Sequence, residues 1–469
     1  MDAANVPGTA SVKKVMVYIH GGGYTAGDAA LTIPTDLVAD YDVIVVTIHY
    51  RLGFFGFLSS GDAAAPGNNG LRDQVMALQW VKDNIREFGG DPSDVTVLGE
   101  SAGATSVSFL SLSPYTRGLF TKAVMQSGTA VAPWASLSPT KARNYMYRLA
   151  SRLDCLPWWS LASPVDYHNN IISCLRNKPA FSIESFEDNL PGNGEIFSDL
   201  LNGIKSTPVV DGDFIPGDPK ILLGDIDYLQ RNGIADRSYI AGTTNDEGAA
   251  NFLGLESSVY LTDAGMRSLA KYASKFHYPI STNDEMIDLV DFLYSYPRQS
   301  DGRPPFQAMK DVHTDILFVF PTIDFLNRLT RTSPTTPAYH YLFDHYPELV
   351  DRSLPAIASS HAWDLLYQFD QVNGTKGDYF LPKPDISTAD SRAMADVFRG
   401  VLTQFAKTGN PSRGSTGGSP ASWPRYDPVG RKYMNLSPRP EARSRLYAKR
   451  MSLWDDFLPG LASSIFGWD

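Results

Sequence analysis

Gly99-Glu100-Ser101-Ala102-Gly103 is the stretch of this chain best suited to chemistry. It follows a short apolar β-type run, Asp94-Val95-Thr96-Val97-Leu98, and precedes residues 104–110, which can turn helical. A strand that passes straight into a helix strains the backbone at the serine and crowds neighbouring Cα atoms, and the flanking glycines remove the side chains that would clash. Ser101 then projects its hydroxyl from a sharp turn with a helix N-terminus below it. Taken alone, G-x-S-x-G is a weak pattern that also describes a serine in a glycine-rich loop. A serine hydroxyl is moreover a poor nucleophile. It needs a base, and donors for the oxyanion that forms when it attacks a carbonyl.

The donors have a candidate source upstream. Val15-Met16-Val17-Tyr18-Ile19 reads as a strand buried on both faces, and it runs into His20-Gly21-Gly22-Gly23. Glycines after a strand can turn their N–H groups into a cavity and let a substrate oxygen approach closely. The N–H groups of Gly22 and Gly23, with that of Ala102 just after the serine, are the assigned donors, and H-G-G-G is the oxyanion motif that accompanies the elbow in esterases and lipases. A phosphate loop would want a lysine after the glycines, whereas Tyr24-Thr25-Ala26 follows. The expected chain order is nucleophile, acid, histidine. Asp246 and Glu247 both follow the apolar strand 238–242. His168, His277, His313, His340, His345 and His361 all lie after the serine. Spacing alone chooses neither between the two acids nor among these histidines.

The elements that must position these groups read as an α/β protein. Strands are expected at 15–19, 43–48, 94–98, 122–126 and 238–242, and an amphipathic helix at 71–88, where Leu71, Val75, Leu78, Val81 and Ile85 recur at steps of three and four. Strands alternating with helices imply an open, mostly parallel sheet covered by helices. The mainly helical stretches 136–203, with Trp158 and Trp159, and 252–327 read as insertions capping that sheet. Residues 409–422 form a low-complexity loop. Neither a linker nor an internal repeat divides the 469 residues, so one domain spanning 1–469 is expected.

Hydrophobic residues make up 43% of the chain and charged residues 20%, enough apolar material for a large core. The net charge of −10 argues against nucleic acid and anionic membranes as partners. No run approaches the ~18 apolar residues of a membrane span, and residues 1–12 carry no secretory signal. The two cysteines, Cys155 and Cys174, are by default unrelated thiols. Two triplets, at Asn373 and Asn435, permit glycosylation. No motif calls for a metal or cofactor.

Taken together, the chain resembles the type-B carboxylesterase and cholinesterase family of α/β-hydrolases. The matching residues include the strand into His20-Gly21-Gly22-Gly23, Tyr50-Arg51-Leu52-Gly53-Phe54-Phe55-Gly56-Phe57-Leu58, Asn69-Gly70-Leu71-Arg72-Asp73-Gln74, and Phe88-Gly89-Gly90-Asp91-Pro92. They continue through the serine motif, Gln126-Ser127-Gly128, Phe405-Ala406-Lys407-Thr408-Gly409-Asn410-Pro411 and Trp423-Pro424. The resemblance implies an α/β-hydrolase fold and a triad of Ser101, Glu247 and His361. His361 lies in His361-Ala362-Trp363-Asp364, where the family usually has glycine in place of Ala362. It also implies a supporting role for Ser127, a charge near the site at Glu100, an acyl-side wall at Trp134, and a Cys155–Cys174 disulfide, hence a secretory or extracellular location.

The implied reaction is hydrolysis of a small-molecule ester through an acyl-enzyme. In cholinesterases, aromatic residues just after the triad glutamate line the choline gorge; Ala250 and Asn251 stand there in this chain. Small to medium uncharged esters are therefore the expected substrates. The chain begins almost at its first strand, where the family carries a longer N-terminal segment, so an N-terminally truncated domain is expected. The alternatives are a non-catalytic cholinesterase-like adhesion protein of the neuroligin type, or an inactive fragment.

Overall fold

The computed structural model describes residues 12–157, 163–188, 206–249, 267, 269–271, 287–294, 305–345, 359–369, 371–372, 388–412 and 422–466. Ten strands are described in chain order. They are β1 (Lys13–Ile19), β2 (Thr32–Ile33), β3 (Val43–Ile48), β4 (Gly90–Glu100), β5 (Lys122–Gln126), β6 (Ser238–Thr244), β7 (Ala338–Phe343), β8 (Gln371–Val372), β9 (Lys432–Leu436) and β10 (Glu441–Ser444). Eight of them form one sheet in the order β10-β9-β7-β6-β5-β4-β1-β3, and β2 pairs with β8 in a separate ribbon. Every pairing in the large sheet is parallel except that of β10 with β9. The expected α/β-hydrolase architecture is thus present, and all five expected strands lie in it.

Strand alternation divides the core. Val15, Val17 and Ile19 of β1 enter one apolar cluster, and Met16 and Tyr18 enter another on the opposite face. The helices Asn69–Asn84, Ala102–Leu112 and Phe320–Thr332 supply the first cluster. Ala389–Thr408 supplies much of the second. Both faces being covered explains the continuous apolar strands. The amphipathic helix runs over Asn69–Asn84, tightens into a 3₁₀ turn over Ile85–Phe88, and stops at Gly89, whose φ of 81° is left-handed.

This strand order also places the site. The chain adds β3 to one side of β1 and then crosses to add β4 on the other. The loops after β1 and β4 therefore diverge, and a crevice opens beyond the carboxyl ends of these two strands. Ile19 is in register with Gly99, so His20-Gly21-Gly22-Gly23 lies beside Glu100-Ser101-Ala102.

Away from this crevice, Pro139–Arg152 and Pro164–Arg176 form a helical pair with its own apolar cluster, closed by the Cys155–Cys174 disulfide. Trp158, Trp159 and Asn373 lie outside the described residues, as do 413–421 of the low-complexity loop. Asn435 is buried in β9 and its Nδ2 donates to Asp344 Oδ2 at 3.2 Å, so the second glycosylation triplet is not presented at the surface. Among the described residues no helix is long and apolar enough to cross a membrane.

Candidate active site

Ser101 occupies the sharp turn between β4 and the helix Ala102–Leu112, with φ 57° and ψ −121°. Such a backbone is strained for a residue with a side chain. Close packing holds it. A Cβ on Gly103 would come within 2.0 Å of Ile19 O, and one on Gly99 within 2.5 Å of Gly103 C. The Ser101 N–H donates to Gln126 O at 2.8 Å, tying the turn to β5. Gly22 and Gly23 both take positive φ, 103° and 61°. Gly21 lies directly over the turn, where a Cβ would meet Glu100 Oε2 at 2.7 Å and Ser101 Cβ at 3.1 Å. Ala102 is the first residue of its helix, so its N–H has no intrahelical partner.

Glu247 follows β6 in a buried turn and is fully enclosed. Its Oε1 accepts from Ser127 Oγ at 2.5 Å and from the Thr244 N–H at 2.7 Å. Its Oε2 lies 2.6 Å from His361 Nδ1. The loops carrying the two residues are joined directly: the Asp246 N–H donates to Ser359 O at 2.9 Å, and Asp246 bridges to Ser360 as an isolated parallel pair. Of the two acids left open by spacing, Glu247 faces the imidazole, whereas Asp246 pairs with Lys310. Ala362 takes φ 65°, the left-handed region that the family's usual glycine enters without strain.

The second ring nitrogen of His361 faces Glu100, with Nε2 3.2 Å from Oε1. Among the described residues Ser101 Oγ has no hydrogen-bond partner, so the ring meets Glu247 but not the serine in this arrangement. Catalytic hydrogen bonds are often long in unliganded sites and tighten on the substrate. Burial pushes Glu100 up to about 8, against the attraction of His361. Burial favours the neutral imidazole, but Glu100 and Glu247 outweigh it and hold His361 up to about 9.

Three further residues surround the histidine: Asp364 and Phe318, to which the sequence assigns no role, and His313, one of the histidines that spacing leaves open. Asp364 is fully buried, accepts from Gln126 Nε2 at 2.8 Å, and is pushed up to about 6 by burial. Buried His313 is pushed down to about 3 by burial and then by the charge of His361. Phe318 packs its ring 4.8 Å from that of His361. It sits in a π-helical turn, Asp315–Val319, of the kind frequent at functional sites. Trp134 stands behind Phe318 at 5.8 Å and donates its Nε1–H to Leu317 O at 3.0 Å. The only sequence cue to Asp364 is its place three residues after His361; the others arrive through packing alone. Among the described residues no group of three or more His, Cys, Asp or Glu side chains is arranged to hold a metal ion.

A model of the carboxylesterase family matches residues 5–454. The chain belongs to the carboxylesterase family. It is 30% identical to acetylcholinesterase of Bungarus fasciatus over 459 residues, covering 96% of this chain and 70% of the relative. It is also 30% identical to neuroligin-3 of Homo sapiens and of Mus musculus, over 467 and 466 residues. Each of those alignments covers 96% of this chain, which spans about half the length of neuroligin-3. This carboxylesterase-family chain thus matches relatives of both names at the same identity.

Proposed function

We propose that the protein is a serine carboxylic ester hydrolase. Ser101 attacks the ester carbonyl while His361 Nε2 takes its proton. Glu247 holds the imidazole in the tautomer that carries hydrogen on Nδ1, and stabilises the cation that forms. The N–H groups of Gly22, Gly23 and Ala102 receive the oxyanion, where losing one donor typically costs about 2.7–4 kcal/mol. The alcohol leaves with the proton from His361; water then attacks the acyl-enzyme and the carboxylic acid departs. Ser127 supports the reaction by fixing Glu247. The acyl side is read as the wall of Phe318 and Trp134, which favours small to medium acyl groups on uncharged esters. The disulfide supports a secretory or extracellular location.

The observation that carries this reading is the 2.6 Å contact of Glu247 with His361, on loops bonded to each other, beside a serine held in a strained elbow. Purified protein is expected to hydrolyse p-nitrophenyl butyrate and to be labelled stoichiometrically at Ser101 by an organophosphate. Folded protein that does neither would sink the reading. That result would favour the second one, a binding module that uses the same fold without catalysis, which rests on the equal identity to neuroligin-3. Ser101→Ala is expected to abolish both labelling and turnover.

A further inference from the structure

His340 lies in β7 between β6 and β9, on the same face of the strand as Ala338 and Leu342. It is 1% exposed, and neither ring nitrogen has a hydrogen-bond partner among the described residues. The ring contacts Tyr426 and Tyr433 only through aromatic edges and faces, with centroids 5.8 and 5.9 Å away. Burial alone pushes it down to about 3, so the imidazole is neutral and offers one donor and one acceptor. Buried polar groups are ordinarily satisfied, and one left without a partner needs an explanation.

The explanation is a cavity. His340 lines a space of about 230 Å³ of mixed character, with apolar side chains, Tyr426 and Met451 among them, beside polar and charged ones. At ~30 Å³ per water the space is roomy, yet it falls below the ~300 Å³ of a drug-sized site. The rim carries Arg431, Arg445 and Asp456. Arg431 is engaged by Asp455. Arg445 is exposed and makes no ion pair among the described residues. None of the lining residues belongs to the Ser101 site.

We propose that this cavity binds a small organic monocarboxylate with an apolar body and a hydroxyl at its far end. The carboxylate meets Arg445 at the rim, where a bidentate guanidinium contact suits it. The body packs on Tyr426 and Met451, and the hydroxyl bonds His340 at the floor. Asp456 on the same rim disfavours a second negative charge, so a dicarboxylate binds more weakly.

Calorimetric titration of the whole chain with 4-hydroxybenzoate tests this. Saturable binding is expected, at least tenfold weaker for benzoate, which lacks the hydroxyl, and for 4-hydroxybenzamide, which lacks the charge. His340→Phe and Arg445→Gln should each weaken binding of 4-hydroxybenzoate at least tenfold. Both variants should keep the wild-type rate of organophosphate labelling, and His340→Phe should keep or raise the melting temperature. Absence of saturable heat up to millimolar acid would overturn the proposal. So would unchanged affinity in both variants, which would place any bound acid elsewhere. A structure of the soaked protein with only ordered water on His340 would overturn it as well.

Discussion

His361 has a carboxyl group facing each of its ring nitrogens, Glu247 at Nδ1 and Glu100 at Nε2. Both favour the cation, which in the proposed reaction cannot accept the serine proton, and Glu247 also orients the ring through its contact with Nδ1. The charge of Glu100 attracts the cation more strongly than the charge of Glu247 does, and Glu247 adds a hydrogen bond in the same sense. Glu100→Gln should therefore lower the ring's pKa. In the proposed reaction, activity depends on the neutral imidazole and is lost as pH falls through that value. The acid limb of kcat/KM for p-nitrophenyl butyrate should then move to lower pH in the variant, and an unmoved limb would show that Glu100 does not set the charge of the ring. Glu247→Gln removes orientation as well as charge, and kcat should drop on the order of 10⁴-fold, as when a triad carboxylate becomes an amide. At this scale the sequence was informative where the chemistry is local. Gly22, Gly23, Glu100, Ser101 and Ala102 fall in two short motifs. Glu247 and His361 stand out only through family resemblance, because no local spacing connects them. Phe318 and His313 reach the ring through tertiary packing and leave no trace in their own neighbourhoods.

Among the elements, the contact between β1 and the helix Ala102–Leu112 is the tightest constraint on the site. Gly103→Ala would put a methyl group 2.0 Å from the Ile19 carbonyl oxygen, a backbone atom that cannot rotate aside. The helix must then lift from β1, at the upper end of the ~1–3 kcal/mol that overpacking costs. Urea denaturation should show that loss, and organophosphate labelling should slow in parallel because the same movement displaces the turn. The helical pair behaves differently. Its disulfide joins residues 19 apart in sequence, and closing such a loop in the unfolded chain is worth about 3 kcal/mol. Cys155→Ser with Cys174→Ser should lower the urea midpoint while Ser101 labels at its normal rate, since the pair has a separate apolar cluster. The elements missed from sequence share a cause. β7 has His340 among its apolar residues, β9 carries Asn435, and β10 is a four-residue exposed edge, Glu441–Ser444, with no apolar signal beyond one alanine. Continuous apolar runs mark central strands well, and they fail where a strand buries a polar side chain or ends the sheet.

For the molecule as a whole, buried titratable groups tie stability to pH in opposing ways. His340 is held at about 3 when folded, against ~6.5 for an unperturbed imidazole. Between those values the unfolded chain binds a proton at this position that the folded chain does not, so this group's contribution to stability falls as pH drops below 6.5. His313 acts in the same sense. Glu100, Asp315 and Asp364 act in the other: burial raises each when folded, to about 8, 7 and 6, so they favour the fold at low pH and weaken it as pH rises through those values. A pH–stability curve of the wild type mixes these contributions, and the difference between two proteins isolates one of them. His340→Phe removes a single proton uptake while keeping an aromatic ring in the same space. Relative to wild type, the variant should gain stability as pH falls from 6.5, with a slope of up to ~1.36 kcal/mol per pH unit, reaching on the order of 3 kcal/mol by pH 4. Paired urea titrations at pH 7, 5.5 and 4 measure that difference directly. If the two proteins lose stability in parallel across this range, His340 is already protonated or solvated in the folded chain, and the floor of the cavity is wetter than its burial indicates.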